Sequence, residues 1–144
     1  MTAASLLDVN VLVALAWPNH VHHGAARAWF AASSAEGWAT CPLTQTGFVR
    51  ISSHARITPD ARTPRQAIEL LRRLTALPGH VFWEDDVSIA RPDPLDPDRI
   101  VGHRQVTDAH LLALALRRAG RLVTFDRGVP QIAPGRDASI IVLS

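Results

Sequence analysis

Residues 5–10 read Ser-Leu-Leu-Asp-Val-Asn, and residues 122–128 read Leu-Val-Thr-Phe-Asp-Arg-Gly. Each stretch is an apolar run that stops at an aspartate, Asp8 in the first and Asp126 in the second. A short run of continuously apolar residues is typical of a strand in a parallel sheet that helices cover on both faces. Such sheets bind their ligands at the carboxyl ends of the strands. We therefore expect the two aspartates to meet at one edge of the sheet if their strands are neighbours.

Strand-like and helix-like segments alternate along the whole sequence. Apolar runs that predict strands occupy residues 4–8, 38–41, 80–83, 122–125 and 139–143. Helical spacing of apolar residues separates most of these runs. Alternation of this kind predicts a three-layer α/β/α sandwich with a central, mostly parallel sheet. A length of 144 residues fits one domain over residues 1–144.

Several helix boundaries are predicted from capping residues. Thr63 followed by Pro64 is typical of a helix start, with proline in the first helical position. Thr44 and Thr107 are expected to cap the starts of two further helices. Gly120 is expected to close the helix that begins after Thr107, because glycine tolerates the left-handed conformation that commonly follows a helix.

The composition excludes several classes of site. All 15 basic residues are arginine, so a P-loop, a Schiff-base lysine and a lysine-dependent phospho-receiver site are excluded. The single cysteine, Cys41, rules out an internal disulfide and a cysteine-based metal knuckle. No apolar run reaches the length of a membrane span, and the N-terminus lacks the pattern of a secretory signal. We therefore expect a cytoplasmic protein with no membrane partner.

Three aspartates are the candidate chemical groups: Asp8, Asp126, and Asp108 at the start of an apolar helix. Carboxylates that gather at one edge repel each other, and a hard cation such as Mg²⁺ is their natural partner. Such a site hydrolyses phosphodiesters by positioning and activating water. Each aspartate also has a structural interpretation: Asp8 as a helix cap, Asp108 as a charge favoured by the helix dipole, and Asp126 as a turn residue.

Four blocks of sequence, taken together and in order, resemble the PIN-domain toxins of VapBC toxin–antitoxin systems. They are Leu-Leu-Asp-Val-Asn-Val-Leu at 6–12, Cys-Pro-Leu-Thr-Gln-Thr-Gly-Phe-Val-Arg at 41–50, Gly-His-Arg-Gln-Val-Thr-Asp-Ala-His-Leu-Leu-Ala-Leu-Ala at 102–115, and Thr-Phe-Asp-Arg-Gly at 124–128. The resemblance implies a PIN-like fold and an endoribonuclease that uses Mg²⁺ or Mn²⁺ to cleave structured RNA such as tRNA or rRNA. It also implies a homodimer and inhibition by a cognate VapB antitoxin.

The resemblance assigns roles to particular residues. Asp8, Asp108 and Asp126 would be the catalytic, metal-binding acids. The polar residues Asn10, Gln45 and Thr107 would support these acids or orient the substrate. Among the arginines, which suit bidentate contacts to phosphate, Arg50, Arg104 and Arg127 are the candidates for contacting RNA.

Gln45 departs from the family pattern, which usually has glutamate at this position. Glutamine keeps the shape and one acceptor oxygen of glutamate but loses its negative charge. Two hypotheses follow. The leading one is a ribonuclease toxin with a weakened or retuned metal site, and the alternative is an inactive PIN-fold module that binds antitoxin or RNA without cleaving it.

Overall fold

The central sheet is parallel throughout the part of the chain that the computed structural model describes, residues 3–54 and 62–144. Its five strands are β1 (Ser5–Leu7), β2 (Trp38–Thr40), β3 (His80–Phe82), β4 (Arg121–Thr124) and β5 (Ile140–Val142). Every pair of neighbours runs in the same direction. This confirms the parallel sheet that the continuous apolar runs predicted. The polar stretch of residues 52–63, whose composition predicts a loop, lies partly outside the described residues.

Helices cover both faces of this sheet. The α-helices of the described residues are α1 (Val9–Ala16), α2 (His23–Ser33), α3 (Pro42–Ser52), α4 (Pro64–Thr75), α5 (Val106–Arg117) and α6 (Val129–Ile132). One apolar core contains the buried side of α5 with residues of α6, and the other contains residues of α1, α3 and α4. The predicted three-layer α/β/α sandwich is therefore confirmed. No described helix has the length and apolarity needed to cross a membrane.

The order of the strands creates one crevice at the carboxyl edge of the sheet. Along the sheet the order is β3-β2-β1-β4-β5, so the chain moves outward from β1 to β3 and then returns to the other side of β1. Leu7 pairs with Val123, which brings the ends of β1 and β4 together. Ligands of open parallel sheets bind at such a reversal of strand order. Asp8 and Asp126 follow these two strands.

Two predicted helix starts are wrong, by three residues for α3 and by two for α5. Helix α3 begins at Pro42, and Thr44 lies inside its first turn, where its Oγ1 accepts a hydrogen bond of 3.0 Å from the Cys41 amide. The cause is the proline, which suits the first helical position. Helix α5 begins at Val106, directly after a 3₁₀ turn, so Thr107 is also inside a helix rather than its cap. The predicted cap at Thr63 is confirmed.

The end of α5 also differs from the prediction. Ala119, with φ of 54°, takes the left-handed conformation expected of Gly120. The Gly120 amide donates to the Ala115 carbonyl at 2.8 Å. Gly120 is required for a different reason, because a Cβ there would lie 2.5 Å from the Ala4 carbonyl oxygen and 2.6 Å from the Trp83 ring. Glycine thus allows α5 to turn directly into β4.

Candidate active site

Asp8 links the end of β1 to the start of α1. It caps α1, and its Oδ1 accepts a hydrogen bond of 2.7 Å from the Val9 amide. Its own amide donates to the Val123 carbonyl of β4 at 3.0 Å. The residue is 7% exposed. The cap interpretation of Asp8 is therefore correct, and the same side chain also stands at the crevice.

Thr124 forms hydrogen bonds with both Asp8 and Asp126 and so fixes their relative positions. Its buried hydroxyl donates to Asp8 Oδ2 at 3.2 Å and accepts from the Asp126 amide at 3.1 Å. The residue is fully buried at the end of β4. The sequence analysis did not single out Thr124. The signal available was its position in Thr-Phe-Asp, where a polar residue ends an otherwise apolar strand.

Asp126 and Asp108 complete the acidic group. Asp126 is exposed in the turn after β4, and its Oδ1 accepts from the Gly128 amide at 2.8 Å, as the turn interpretation expects. Asp108 is buried in the first turn of α5. Asp126 lies near enough to raise the pKa of Asp108 through a side-chain hydrogen bond and through its charge. Residues separated by up to 118 positions of sequence, from Asp8 to Asp126, therefore gather at one edge of the sheet.

Burial and neighbouring carboxylates raise the pKa values of Asp8 and Asp108. Burial raises the pKa of Asp108 to about 7, and the charge of Asp8, the hydrogen bond to Asp126 and the charge of Asp126 add to the rise. Burial also raises the pKa of Asp8, against the lowering effect of the Val9 amide and the Thr124 hydroxyl, and the charge of Asp126 contributes to the rise. The three acids thus lie within electrostatic range of each other, with an excess of negative charge above neutral pH.

The carboxylates of Asp8, Asp108 and Asp126 suit a hard divalent cation, but they do not enclose it in a full set of protein ligands. Mg²⁺ commonly binds through one or two carboxylates and completes its coordination with water and phosphate oxygens. Over residues 3–54 and 62–144, no group of three or more His, Cys, Asp or Glu side chains is placed to hold an ion. Protein donors already engage both oxygens of Asp8 and one of Asp126. The residues therefore fit a hydrated ion on one or two carboxylates rather than a closed cage.

Gln45 lies beside the start of α1. It is half-buried in the first turn of α3, and its Nε2 donates to Thr40 Oγ1 at 3.0 Å. The two helices approach closely because position 47 is glycine: a Cβ on Gly47 would lie 2.8 Å from Cγ2 of Val9. Since Val9 follows Asp8 directly, Gln45 belongs to the same edge of the sheet as the acids. Its buried partner Thr40 is a second residue that the sequence analysis missed.

The remaining predicted site residues are exposed. Asn10 and Thr107 lie in the first turns of α1 and α5, each close in sequence to an acid. Arg104 lies in the 3₁₀ turn before α5, Arg127 follows Asp126, and Arg50 lies near the end of α3. Arg104 and Arg127 are thus close in sequence to the acids, whereas Arg50 is more than a turn of helix beyond Gln45.

Comparisons with known proteins support the resemblance seen in the four blocks. Residues 5–134 match the family described as the PIN domain. Ribonuclease VapC39 of Mycobacterium tuberculosis is 53% identical over 133 residues, covering 92% of this chain and 94% of that protein. Ribonuclease VapC38 of the same organism is 53% identical over 140 residues, covering 96% of each. Ribonuclease VapC44 is 47% identical over 132 residues, covering 91% of this chain and 92% of that protein.

The fold is also similar to that of a solved toxin. The crystal structure of Mycobacterium tuberculosis VapC20, a Sarcin-Ricin loop cleaving toxin, superposes with a TM-score of 0.65 over 90% of this chain and 95% of that one. The sequence identity is 14%, so this likeness concerns the fold alone. The match over residues 5–134 and the identity to the three ribonucleases show that the chain belongs to the PIN-domain family, in its VapC group.

Proposed function

We propose that this protein is a toxin that acts as a metal-dependent endoribonuclease, with residues 1–144 working as one PIN domain. The observation that carries the proposal is the cluster of Asp8, Asp108 and Asp126 at the carboxyl edge of the sheet, where burial and mutual charge raise the pKa of Asp8 and Asp108. A bound cation stabilises carboxylates whose ionised form is disfavoured by burial and by neighbouring negative charge. Cation sites built from carboxylates serve phosphodiester hydrolysis. Relatives named ribonucleases support the same activity.

The acids would hold the ion, which we expect to be Mg²⁺ or Mn²⁺. When bound, a divalent ion supplies charge that stabilises the phosphate oxygens and lowers the pKa of water. Thr124 holds Asp8 in place through its hydrogen bond to Oδ2, and this bond favours the ionised form of Asp8. Asp126 is held in place by the amide of Gly128, which donates to its Oδ1.

The substrate that we propose is a structured RNA, such as tRNA or rRNA. Arginine binds phosphate through paired hydrogen bonds, and Arg104 and Arg127 are exposed beside the elements that carry Asp108 and Asp126. We assign the same role to Arg50, which lies in the last turn of α3. Asn10 lies two residues after Asp8, and Thr107 directly precedes Asp108. Both are exposed and available to orient RNA.

Cleavage of RNA by the purified protein tests this proposal. We expect cleavage of total RNA in Mg²⁺ or Mn²⁺, none in EDTA, and a loss of at least about 100-fold in Asp108→Asn, the scale of removing a metal-positioning group. Asp137→Asn is the matched control, because Asp137 is an exposed aspartate in a short turn before β5. Metal-independent cleavage, or equal rates in the two variants, would refute the proposal.

A second candidate function is a module that binds RNA or antitoxin without cutting. Two observations favour it: the neutral Gln45 at a position that is usually glutamate, and the absence of a three-ligand metal arrangement in the described residues. Gln45→Glu separates the two candidates. A large gain in Mn²⁺ affinity and cleavage supports a weakened enzyme, whereas an unchanged, folded and inactive variant supports the binding module.

The proposed partners follow from membership of the VapC group. We expect a VapB-type antitoxin to neutralise the protein, and a homodimer to be its free form. RNA and antitoxin would both be met in the cytoplasm. Coexpression with a candidate VapB-type antitoxin, followed by size-exclusion chromatography with light scattering of the complex and of the free protein, tests both partner assignments.

A further inference from the structure

Three side chains form a hydrogen-bonded series that leads from Gln45 into the sheet. Gln45 Nε2 donates to Thr40 Oγ1 at 3.0 Å, and Thr40 Oγ1 lies 2.7 Å from His80 Nε2. Thr40 is fully buried at the end of β2, and His80 is half-buried at the start of β3 against the Trp38 ring, 4.7 Å between ring centres. We call these residues the Thr40 network.

The hydrogens of this network can be assigned by counting donors. A hydroxyl has one hydrogen to donate. Since Gln45 donates to Thr40, the hydroxyl hydrogen of Thr40 goes to its other neighbour, His80 Nε2. If His80 Nε2 also carried a hydrogen, the buried Thr40 hydroxyl would be left without an acceptor among the described residues, which is unfavourable. His80 is therefore neutral with its hydrogen on Nδ1, and burial, which lowers the pKa of His80, favours that form.

The same count leaves one atom of Gln45 free. Its amide nitrogen is committed to Thr40, and within the described part of the chain no donor hydrogen-bonds its Oε1. Gln45 lies in the first turn of α3, which packs on Val9 immediately after Asp8. An oriented, unoccupied carbonyl oxygen at the edge that carries the acids is an acceptor for an O–H group.

We propose that Thr40 and His80 are positioning residues that act through Gln45, fixing its amide so that Oε1 accepts an O–H donor at the acidic edge. The donor is water on the metal ion or a ribose hydroxyl of the RNA. This inference rests on the proposed nuclease function for its role in catalysis, but the hydrogen assignment stands independently of that function.

The assignment also explains how the network responds to glutamate. A carboxylate only accepts, so in Gln45→Glu the Thr40 hydroxyl must donate to residue 45 and accept from His80. The hydrogen of His80 then has to move to Nε2. The tautomer of one half-buried histidine therefore reports which residue stands at position 45.

The first test measures that tautomer and needs no activity. In ¹⁵N NMR spectra of the full-length protein without metal, we expect His80 to carry its hydrogen on Nδ1, with Nε2 unprotonated. In Gln45→Glu we expect the hydrogen on Nε2. A wild-type His80 with hydrogen on Nε2 would overturn the proposal, because the amide of Gln45 would then be reversed and its oxygen bound to Thr40.

The second test measures cleavage and metal response. Thr40→Val keeps the shape of the side chain but removes the hydroxyl, and we expect its rate to fall about tenfold, the size of one hydrogen bond. Thr40→Ser should recover most of the rate. The control is Thr75→Val, which removes a hydroxyl that donates to the carbonyls of Leu71 and Arg72 in α4.

A double variant separates positioning from a structural role. If Thr40 acts through Gln45, Thr40→Val should cost nothing further in a Gln45→Ala background, since contacting residues that work as a unit are not additive. A raised half-saturating Mn²⁺ concentration in Thr40→Val identifies metal-bound water as the donor, and a raised KM for RNA identifies the ribose. Full additivity, or a folded Thr40→Val with the wild-type rate, would overturn the proposal. Absence of cleavage in every variant, with the expected tautomers, contradicts the nuclease function and leaves the hydrogen assignment intact.

Discussion

Replacing Asp108 by asparagine should stabilise the protein when no metal is present. Asp108 is 8% exposed, and burial together with the charges of Asp8 and Asp126 raises the pKa of its carboxyl from 3.8 to about 7. Between these two values the folded protein keeps a proton that the unfolded chain has released. The free energy of unfolding must therefore fall as the pH rises from about 4 to about 7, and it stays low above that range.

The size of this change in the free energy of unfolding follows from the rise in the pKa of Asp108. A change of about 3 units corresponds to at most about 4 kcal/mol at 1.36 kcal/mol per unit. Asparagine is itself a buried polar group and retains part of the desolvation cost, so about 2 kcal/mol of stabilisation is expected at pH 8. For a domain of this length that raises Tm by roughly 4–8 °C.

Thermal unfolding in EDTA at pH 5 and pH 8 measures this effect. Wild-type protein should lose stability between the two conditions, whereas Asp108→Asn should lose much less. The exposed Asp137→Asn serves as the control and should follow the wild type. Added Mn²⁺ should raise the Tm of the wild type at pH 8 more than that of Asp108→Asn. If Asp108→Asn is no more stable than the wild type at pH 8, the ionised carboxyl of Asp108 does not destabilise the folded protein.

Three further substitutions test the packing around the site. Gly47→Ala places a Cβ 2.8 Å from Cγ2 of Val9 and should cost about 1–3 kcal/mol by denaturant unfolding, with Val9→Ala restoring much of the loss. Thr124→Val removes the hydroxyl that donates to Asp8 Oδ2. It should lower the free energy of unfolding at pH 8 by about 1 kcal/mol and the rate of RNA cleavage by about tenfold or more. Unchanged values for both would contradict the role assigned to Thr124. Gly120→Ala meets a backbone carbonyl at 2.5 Å and should lower Tm by several degrees, and a wild-type Tm would show that the α5–β4 turn tolerates a side chain.

The order of layers and the place of the site were predictable from the sequence because they depend on hydrophobic pattern. The mostly apolar strands at residues 5–7 and 122–124 are buried and offer no polar face to solvent, so they require helices on both sides. Asp8 and Asp126 interrupt those runs at their carboxyl ends. The sequence alone does not show that β1 and β4 are neighbours. Their pairing, which brings Asp8 and Asp126 to the same edge, is seen in the structure.

The details that sequence reasoning missed depend on contacts between distant residues. Thr44 and Thr107 look like helix caps by local preference, but Pro42 and the 3₁₀ turn before Val106 start each helix earlier. Thr40 and Thr124 are ordinary strand residues in sequence. Their roles arise from partners far along the chain, Asp8 in the case of Thr124 at a separation of 116 residues.

Binding of Mn²⁺ to the metal-free protein at pH 8 is the most direct test of the central claim that these acids form a divalent-cation site. Isothermal titration of the wild type should show saturable binding of Mn²⁺ to each chain, and Asp108→Asn should lose it while Asp137→Asn keeps it. A wild type that binds no Mn²⁺, or an Asp108→Asn variant that binds it as tightly, would contradict the account.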